Sequence, residues 1–146
     1  MFDLFTEGAL KTMGLARGEA DRLRHDYVGA EHILLALPDA DVCAASLLSA
    51  LGISRERLRA AVENEVAPGT LRTRPNQIPF TQEAKEVLES AMAASQAGQS
   101  ACVKTMDLVL GMVGAARPTS PACRALTTLG LRDVSTVRSA ILQLEL

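Results

Sequence analysis

The stretch Phe5-Thr6-Glu7-Gly8-Ala9-Leu10 returns 75 residues later as Phe80-Thr81-Gln82-Glu83-Ala84-Lys85, and this repetition settles the architecture before any single side chain is interpreted. Each copy continues with an apolar helical pattern, Ala9, Leu10, Met13 and Ala16 in the first, Ala84, Val87, Leu88 and Ala91 in the second. Each then reaches an apolar block, Ile33-Leu34-Leu35-Ala36-Leu37 or Leu108-Val109-Leu110-Gly111-Met112. Each closes on a leucine–glycine stop, Leu51-Gly52 or Leu129-Gly130, before a last amphipathic run. The chain is two copies of one unit.

Apolar positions spaced by three and four predict an all-α fold, with helices over 6–25, 29–37, 41–51 and 54–66, then 81–97, 104–115, 120–129 and 133–145. That makes eight helices in two pseudo-twofold-related four-helix repeats within a single domain, 1–146. Repeat one covers 1–66, a linker 67–79, and repeat two 80–146. Thr6, Thr81 and Ser54, with Thr105 and Asp133 in the second copy, stand where a side-chain oxygen caps free amides, and Gly52 and Gly130 suit left-handed C-terminal caps. No window reads as a strand, since Val62 to Leu71 is broken by charge, Pro68 and Gly69. Copy two has a longer connection, Ala115 to Pro121, and one extra residue after Gly130, which aligns Val137-Arg138 with Leu58-Arg59.

A chain of 146 residues at 48% hydrophobic can bury a sizeable core. No segment approaches the run of about 18 apolar residues that a membrane span needs, and acidic Asp3 and Glu7 stand where a signal peptide would be basic, so a cytoplasmic protein with no membrane role is expected. Fifteen basic residues against 17 acidic, with one tyrosine and three phenylalanines, argue against nucleic-acid binding. Arg72 and Arg74 lie in the proline-bearing segment Pro68 to Pro79, read as a solvated linker. Cys43, Cys102 and Cys123 are odd in number, lack C-x-x-C spacing and lie among apolar residues, which predicts buried small hydrophobes.

Nothing points to catalysis. Glu31 and His32 are adjacent, so on a helix they diverge by about 100° and cannot converge on one substrate atom. His25 and His32 are seven apart, but Gly29 interrupts any shared helix, and no H-E-x-x-H, cysteine pair or G-x-S-x-G elbow completes a metal or nucleophile site. No cofactor or metal is expected. His32 reads as a helix-surface or half-buried imidazole.

Met1-Phe2-Asp3-Leu4-Phe5-Thr6, the run Tyr27-Val28-Gly29-Ala30-Glu31-His32-Ile33-Leu34-Leu35, the stop Leu51-Gly52-Ile53-Ser54, and Ile78-Pro79-Phe80-Thr81 with Ala84-Lys85-Glu86-Val87-Leu88-Glu89 together resemble the Clp N-terminal repeat domain, above all that of ClpC-type AAA+ unfoldases. The resemblance covers nearly the whole chain. It implies a non-catalytic, monomeric module that captures substrates or adaptor proteins for, or modulates, an ATP-driven unfoldase and its protease. These 146 residues hold no G-x-x-x-x-G-K-[ST] phosphate loop, so a stand-alone protein and the recruiting part of a longer one would both act by binding.

The resemblance also implies sites. Glu31, with Thr6 near it, matches the glutamate that receives the guanidinium of phosphoarginine. A carboxylate can accept that planar fork through two charge-assisted hydrogen bonds, while a helix start holds the phosphate. The second copy has Met106 at the position of Glu31, Cys102 at Tyr27, Lys104 at Gly29 and Asp107 at His32, so only repeat one is expected to read the mark. Phe2, Phe80, Lys85 and Glu89 match a docking patch for cyclic-peptide antibiotics. The alternative function is therefore a stand-alone protein that sequesters peptides or cyclic peptides on the Phe2/Phe80 surface.

Overall fold

Thr6 and Thr81 open two sixteen-residue helices in the same way: each hydroxyl oxygen accepts the amide three residues on, from Ala9 at 3.2 Å and Ala84 at 3.0 Å. The computed structural model describes residues 4–70, 78–131 and 133–144. Among them the chain forms α1 (Glu7–Arg22), α2 (Ala30–Ala36), α3 (Val42–Ala50), α4 (Arg55–Glu63), α5 (Gln82–Ala97), α6 (Thr105–Ala115), α7 (Pro121–Thr128) and α8 (Val134–Leu144), with one 3-10 turn at Leu37–Asp39. The all-α, two-by-four expectation holds, with boundaries close to those expected.

Differences at the ends have local causes. Helix α1 stops at Arg22 because Arg24 turns left-handed, φ 60°, and the His25 amide then bonds back to Ala20 O at 2.9 Å. Gln99, φ 57°, with Ser100 to Ser95 O does the same after α5. Neither turn uses glycine, so neither announced itself. Gly52 and Gly130 do turn left-handed, with φ of 77° and 82°. Thr105 is not a cap. Lys104 takes that position, its amide bonded to the Asp107 carboxylate at 2.9 Å, and the Thr105 hydroxyl donates to Asp41, the cap of α3.

The two repeats exchange parts. Among the described residues there is no strand, and two isolated parallel bridges link the lead-in of each first helix to the segment before the other repeat's second helix, Phe5 to Val103 and Phe80 to Val28. Val103 N–H donates to Leu4 O (2.7 Å) and Thr6 N–H to Val103 O (2.9 Å); symmetrically, Val28 N–H donates to Pro79 O (2.8 Å) and Thr81 N–H to Val28 O (3.0 Å). Helix packing follows the same exchange: α2 touches α5 and α7, α6 touches α1 and α3, α4 lies on α7 and α8 on α3. The seven residues of α2 are all buried, and the core runs through Ile33, Leu34, Leu37, Leu47, Leu58, Leu88, Leu108 and Met112. Helix α6 crosses α5 so closely that a Cβ on Gly111 would lie 2.6 Å from Val87 O and 2.8 Å from Ala91 N.

The cysteine expectation fails. Cys43 and Cys102 are exposed and Cys123 is half-buried. Residues Val42–Ala50 carry no charge, so no polar stripe marked which side of α3 faces outward, and Cys102 lies in the loop before α6. The described ends of the linker are anchored: Gly69 N–H donates to Leu23 O at 2.8 Å, and Arg17 Nη1 donates to Ile78 O at 2.7 Å. Arg72 and Arg74 lie outside the described residues.

Candidate functional site

Helix α2 begins at Ala30, so Glu31 sits in its first turn, where an ionised carboxylate is favoured by the helix dipole. The side chain is nevertheless buried, 4% exposed. Tyr27 Oη donates to Glu31 Oε2 at 3.3 Å, and a Cβ at Gly29 would overlap Glu31 Oε1, so the carboxylate occupies the space that the glycine leaves empty. Burial pushes the Glu31 carboxyl above the usual carboxylate range, the nearby Glu83 carboxylate pushes it further, and the bonds from its own backbone amide and from Tyr27 hold it down. Burial and the Glu31 charge together push the Tyr27 phenol up to about 12. Among the described residues no lysine or arginine forms an ion pair with Glu31.

The floor of the site is a chain of two imidazoles. Gly29 N–H donates to His32 Nδ1 at 2.9 Å, His32 Nε2 meets His25 Nδ1 at 2.8 Å, and His25 Nε2 meets Ala67 O at 2.7 Å. An amide can only donate and a carbonyl can only accept, so the order is fixed: His32 Nδ1 accepts, His32 Nε2–H donates to His25 Nδ1, and His25 Nε2–H donates to Ala67 O. His32 is fully buried, not half-buried as expected, and burial pulls its pKa down to about 3, with His25 and Arg22 adding to the effect. Gly29 does interrupt a shared helix, as expected, yet the loop folds back and joins the two histidines. The Tyr27 ring stacks on His25 with centroids 5.1 Å apart and planes 10° apart, which carries the order of this chain up to Glu31.

The exchange of parts decides the neighbours. The Glu31 segment is hydrogen-bonded through Val28 to Pro79 and Thr81, whereas Thr6 is hydrogen-bonded to Val103 in the Met106 segment. The helix start beside Glu31 is therefore that of Thr81, and Thr6 stands at the corresponding place across the pseudo-twofold axis. In repeat two the Asp107 carboxylate replaces the imidazole as partner of the Lys104 amide, so the capping bond survives while the glutamate, the tyrosine and the imidazole chain do not.

Of the expected peptide patch, Phe2 lies outside the described residues. Phe80 is half-buried, with the Arg17 guanidinium 4.7 Å above its ring, while Lys85 and Glu89 are exposed one turn apart on α5. Among the described residues no group of three or more His, Cys, Asp or Glu is placed to hold a metal ion, and no single helix is long and apolar enough to cross a membrane.

Residues 4–129 match the family described as the Clp repeat (R) N-terminal domain. Over 145 residues the chain is 35% identical to the negative regulator of genetic competence ClpC/MecB of Bacillus subtilis (strain 168), covering 99% of this chain and 17% of that protein. It is 37% identical to a ClpA homolog, an ATP-dependent Clp protease ATP-binding subunit, of Cyanidium caldarium, covering 99% of this chain and 16% of that one. The chain thus spans about one sixth of the length of these relatives. In fold it resembles the N-terminal domain of ClpD from Arabidopsis thaliana (TM-score 0.76, 23% identity, 98% and 95% of the two chains). It also resembles the Hsp104 N-terminal domain from Candida albicans (TM-score 0.76, 18% identity, 97% and 91%).

Proposed function

The chain belongs to the Clp repeat N-terminal domain family, and on that premise we propose that it is a non-catalytic protein-binding module. It recruits substrates or adaptors to a Clp AAA+ unfoldase, or modulates that unfoldase by competing for them, and it reads phosphoarginine through repeat one only. The observation that carries this reading is Glu31, a buried carboxylate without a cation partner among the described residues, held in one pose by Tyr27 and by the space at Gly29. A buried charge is costly unless something pairs with it. An incoming guanidinium supplies the pair, and the adjacent start of α5 at Thr81, rather than Thr6, offers amides to the phosphate. The second repeat, with Met106 in place of the carboxylate, has no such acceptor.

The test is a titration of 15N-labelled protein with phosphoarginine, with arginine and phosphoserine as controls. Saturable amide shifts around Tyr27, Glu31 and Thr81, abolished in Glu31→Gln, support the reading; flat spectra, or shifts unchanged in the variant, refute it. The alternative, sequestration of cyclic peptides on the Phe80 surface, draws on exposed Lys85 and Glu89 but has less support, because Phe80 is half-buried beneath Arg17.

A further inference from the structure

On the outer side of repeat one, four charged residues satisfy one another. Glu19 pairs with Arg22 at 2.6 Å and with Arg59 at 3.0 Å, and Arg22 reaches Glu63 at 3.4 Å. Together they cover the ground between α1 and α4. The corresponding positions of repeat two, 75 residues on for α5 and 79 on for α8, hold Ala94, Ala97, Arg138 and Leu142. Three of the four charges are gone and one arginine is left. Arg138 has no ion pair among the described residues, and Leu142 is 63% exposed.

Losing those long side chains opens a trough of about 500 Å³ between α5, α6 and α8, with Met106, Leu110 and Ile141 as its apolar wall and Lys104 and Arg138 as its cations. Its one carboxylate, Asp107, is buried and already bonded to the Lys104 amide. The repeat that lost its guanidinium acceptor therefore has the opposite electrostatics at the same place: basic and apolar, where repeat one is acidic at Glu31 and internally neutralised beside it.

The geometry points to this trough as a second binding site, for an acidic, apolar segment of a partner protein. An aliphatic or aromatic side chain lies against Met106, Leu110 and Ile141 while a neighbouring Asp or Glu pairs with Arg138 and Lys104. Charge complementarity selects this occupant: a basic segment would meet two cations, and a purely apolar one would leave both unpaired. The site goes beyond the phosphoarginine reading and uses none of its residues, so the two stand or fall separately.

The probe is the blocked peptide acetyl-Gly-Leu-Glu-Leu-Glu-Gly-amide, titrated into 15N-labelled protein beside the same peptide with Gln for Glu and one with Lys for Glu. Saturable shifts are expected at Lys104, Met106 and Ile141, with binding weaker by about fivefold or more for the Gln peptide, in Arg138→Ala and on raising salt. The double variant Ala94→Glu/Ala97→Arg rebuilds the repeat-one ion pairs around Arg138 and should abolish binding while the protein stays folded by circular dichroism. Glu31→Gln should leave the peptide titration unchanged. No shifts at millimolar peptide, equal binding of the Gln or Lys peptide, or binding that survives both Arg138→Ala and the double variant would overturn the proposal. So would binding only by peptides with a free C-terminal carboxylate, since the site would then read chain ends and not acidic segments.

Discussion

Acid should destabilise this fold through one ring in particular. His32 is fully buried and neutral, its Nδ1 committed to the Gly29 amide and its Nε2–H to His25, so a second ring proton would face a donor and break the chain. Its folded pKa lies near 3 against the ordinary 6.5. The unfolded chain therefore binds the extra proton first, and the contribution of His32, complete above about pH 6.5, is lost as pH falls toward 3. The slope is about 1.4 kcal/mol per pH unit, which removes about 2 kcal/mol by pH 5 and about 3 by pH 4, against a total stability of roughly 5–15 kcal/mol for a domain. Glu31 and Asp107, both pushed up by burial, titrate with the opposite sign, so the effect is read as a difference between proteins. His32→Asn keeps an acceptor for the Gly29 amide and removes the titrating ring. Urea unfolding of both proteins at pH 7, 6, 5 and 4 should show the variant less stable at pH 7 by about 1–3 kcal/mol. That gap should narrow by about 2 kcal/mol at pH 5. Parallel pH profiles with a constant gap would refute the linkage.

Glu31→Gln should raise the melting temperature at pH 7. Folding raises the Glu31 pKa, so its stabilising effect is present below the unfolded value and lost as pH rises through the folded one; the gain should shrink in scans at pH 4. Gly29→Ala places a methyl on Glu31 Oε1 and should weaken phosphoarginine binding by about tenfold or more, roughly 1.4 kcal/mol, in calorimetry, while circular dichroism still reports a helical fold. Gly111→Ala forces α5 and α6 apart at Val87 O and Ala91 N and should cost about 1–3 kcal/mol in denaturant midpoint, leaving the Glu31 chemistry intact.

The helices and their caps could be read from the chain because both depend on near neighbours. Thr6, Thr81 and Ser54 cap amides three residues away, and Gly52 and Gly130 turn where leucine runs end. What could not be read depends on which repeat touches which. A period of 75 says that Val28 and Val103 are equivalent, but not that Val28 pairs with Phe80 and Val103 with Phe5. That exchange is why Thr81, not Thr6, stands beside the Glu31 segment. The histidine chain was hidden for a similar reason: the seven-residue spacing was visible, but the left-handed turn at Arg24 that folds the loop back has no glycine to mark it. Cys43 is exposed against expectation because an uncharged helix such as α3 shows no outward face in sequence. The trough in repeat two was implicit in the alignment, in Ala94 and Ala97 against Glu19 and Arg22, but the loss of ion pairs became visible only once Arg59 and Arg138 were placed beside them.

The central claim, recruitment through a single Glu31 site, is tested most directly in competition. A Clp unfoldase and its protease degrade an arginine-phosphorylated substrate while this chain is added at rising concentration, either unaltered or as Glu31→Gln. The unaltered chain should slow degradation in proportion to its occupancy by the marked substrate, and the variant should not. Degradation indifferent to the chain, or slowed equally by Glu31→Gln, would contradict it.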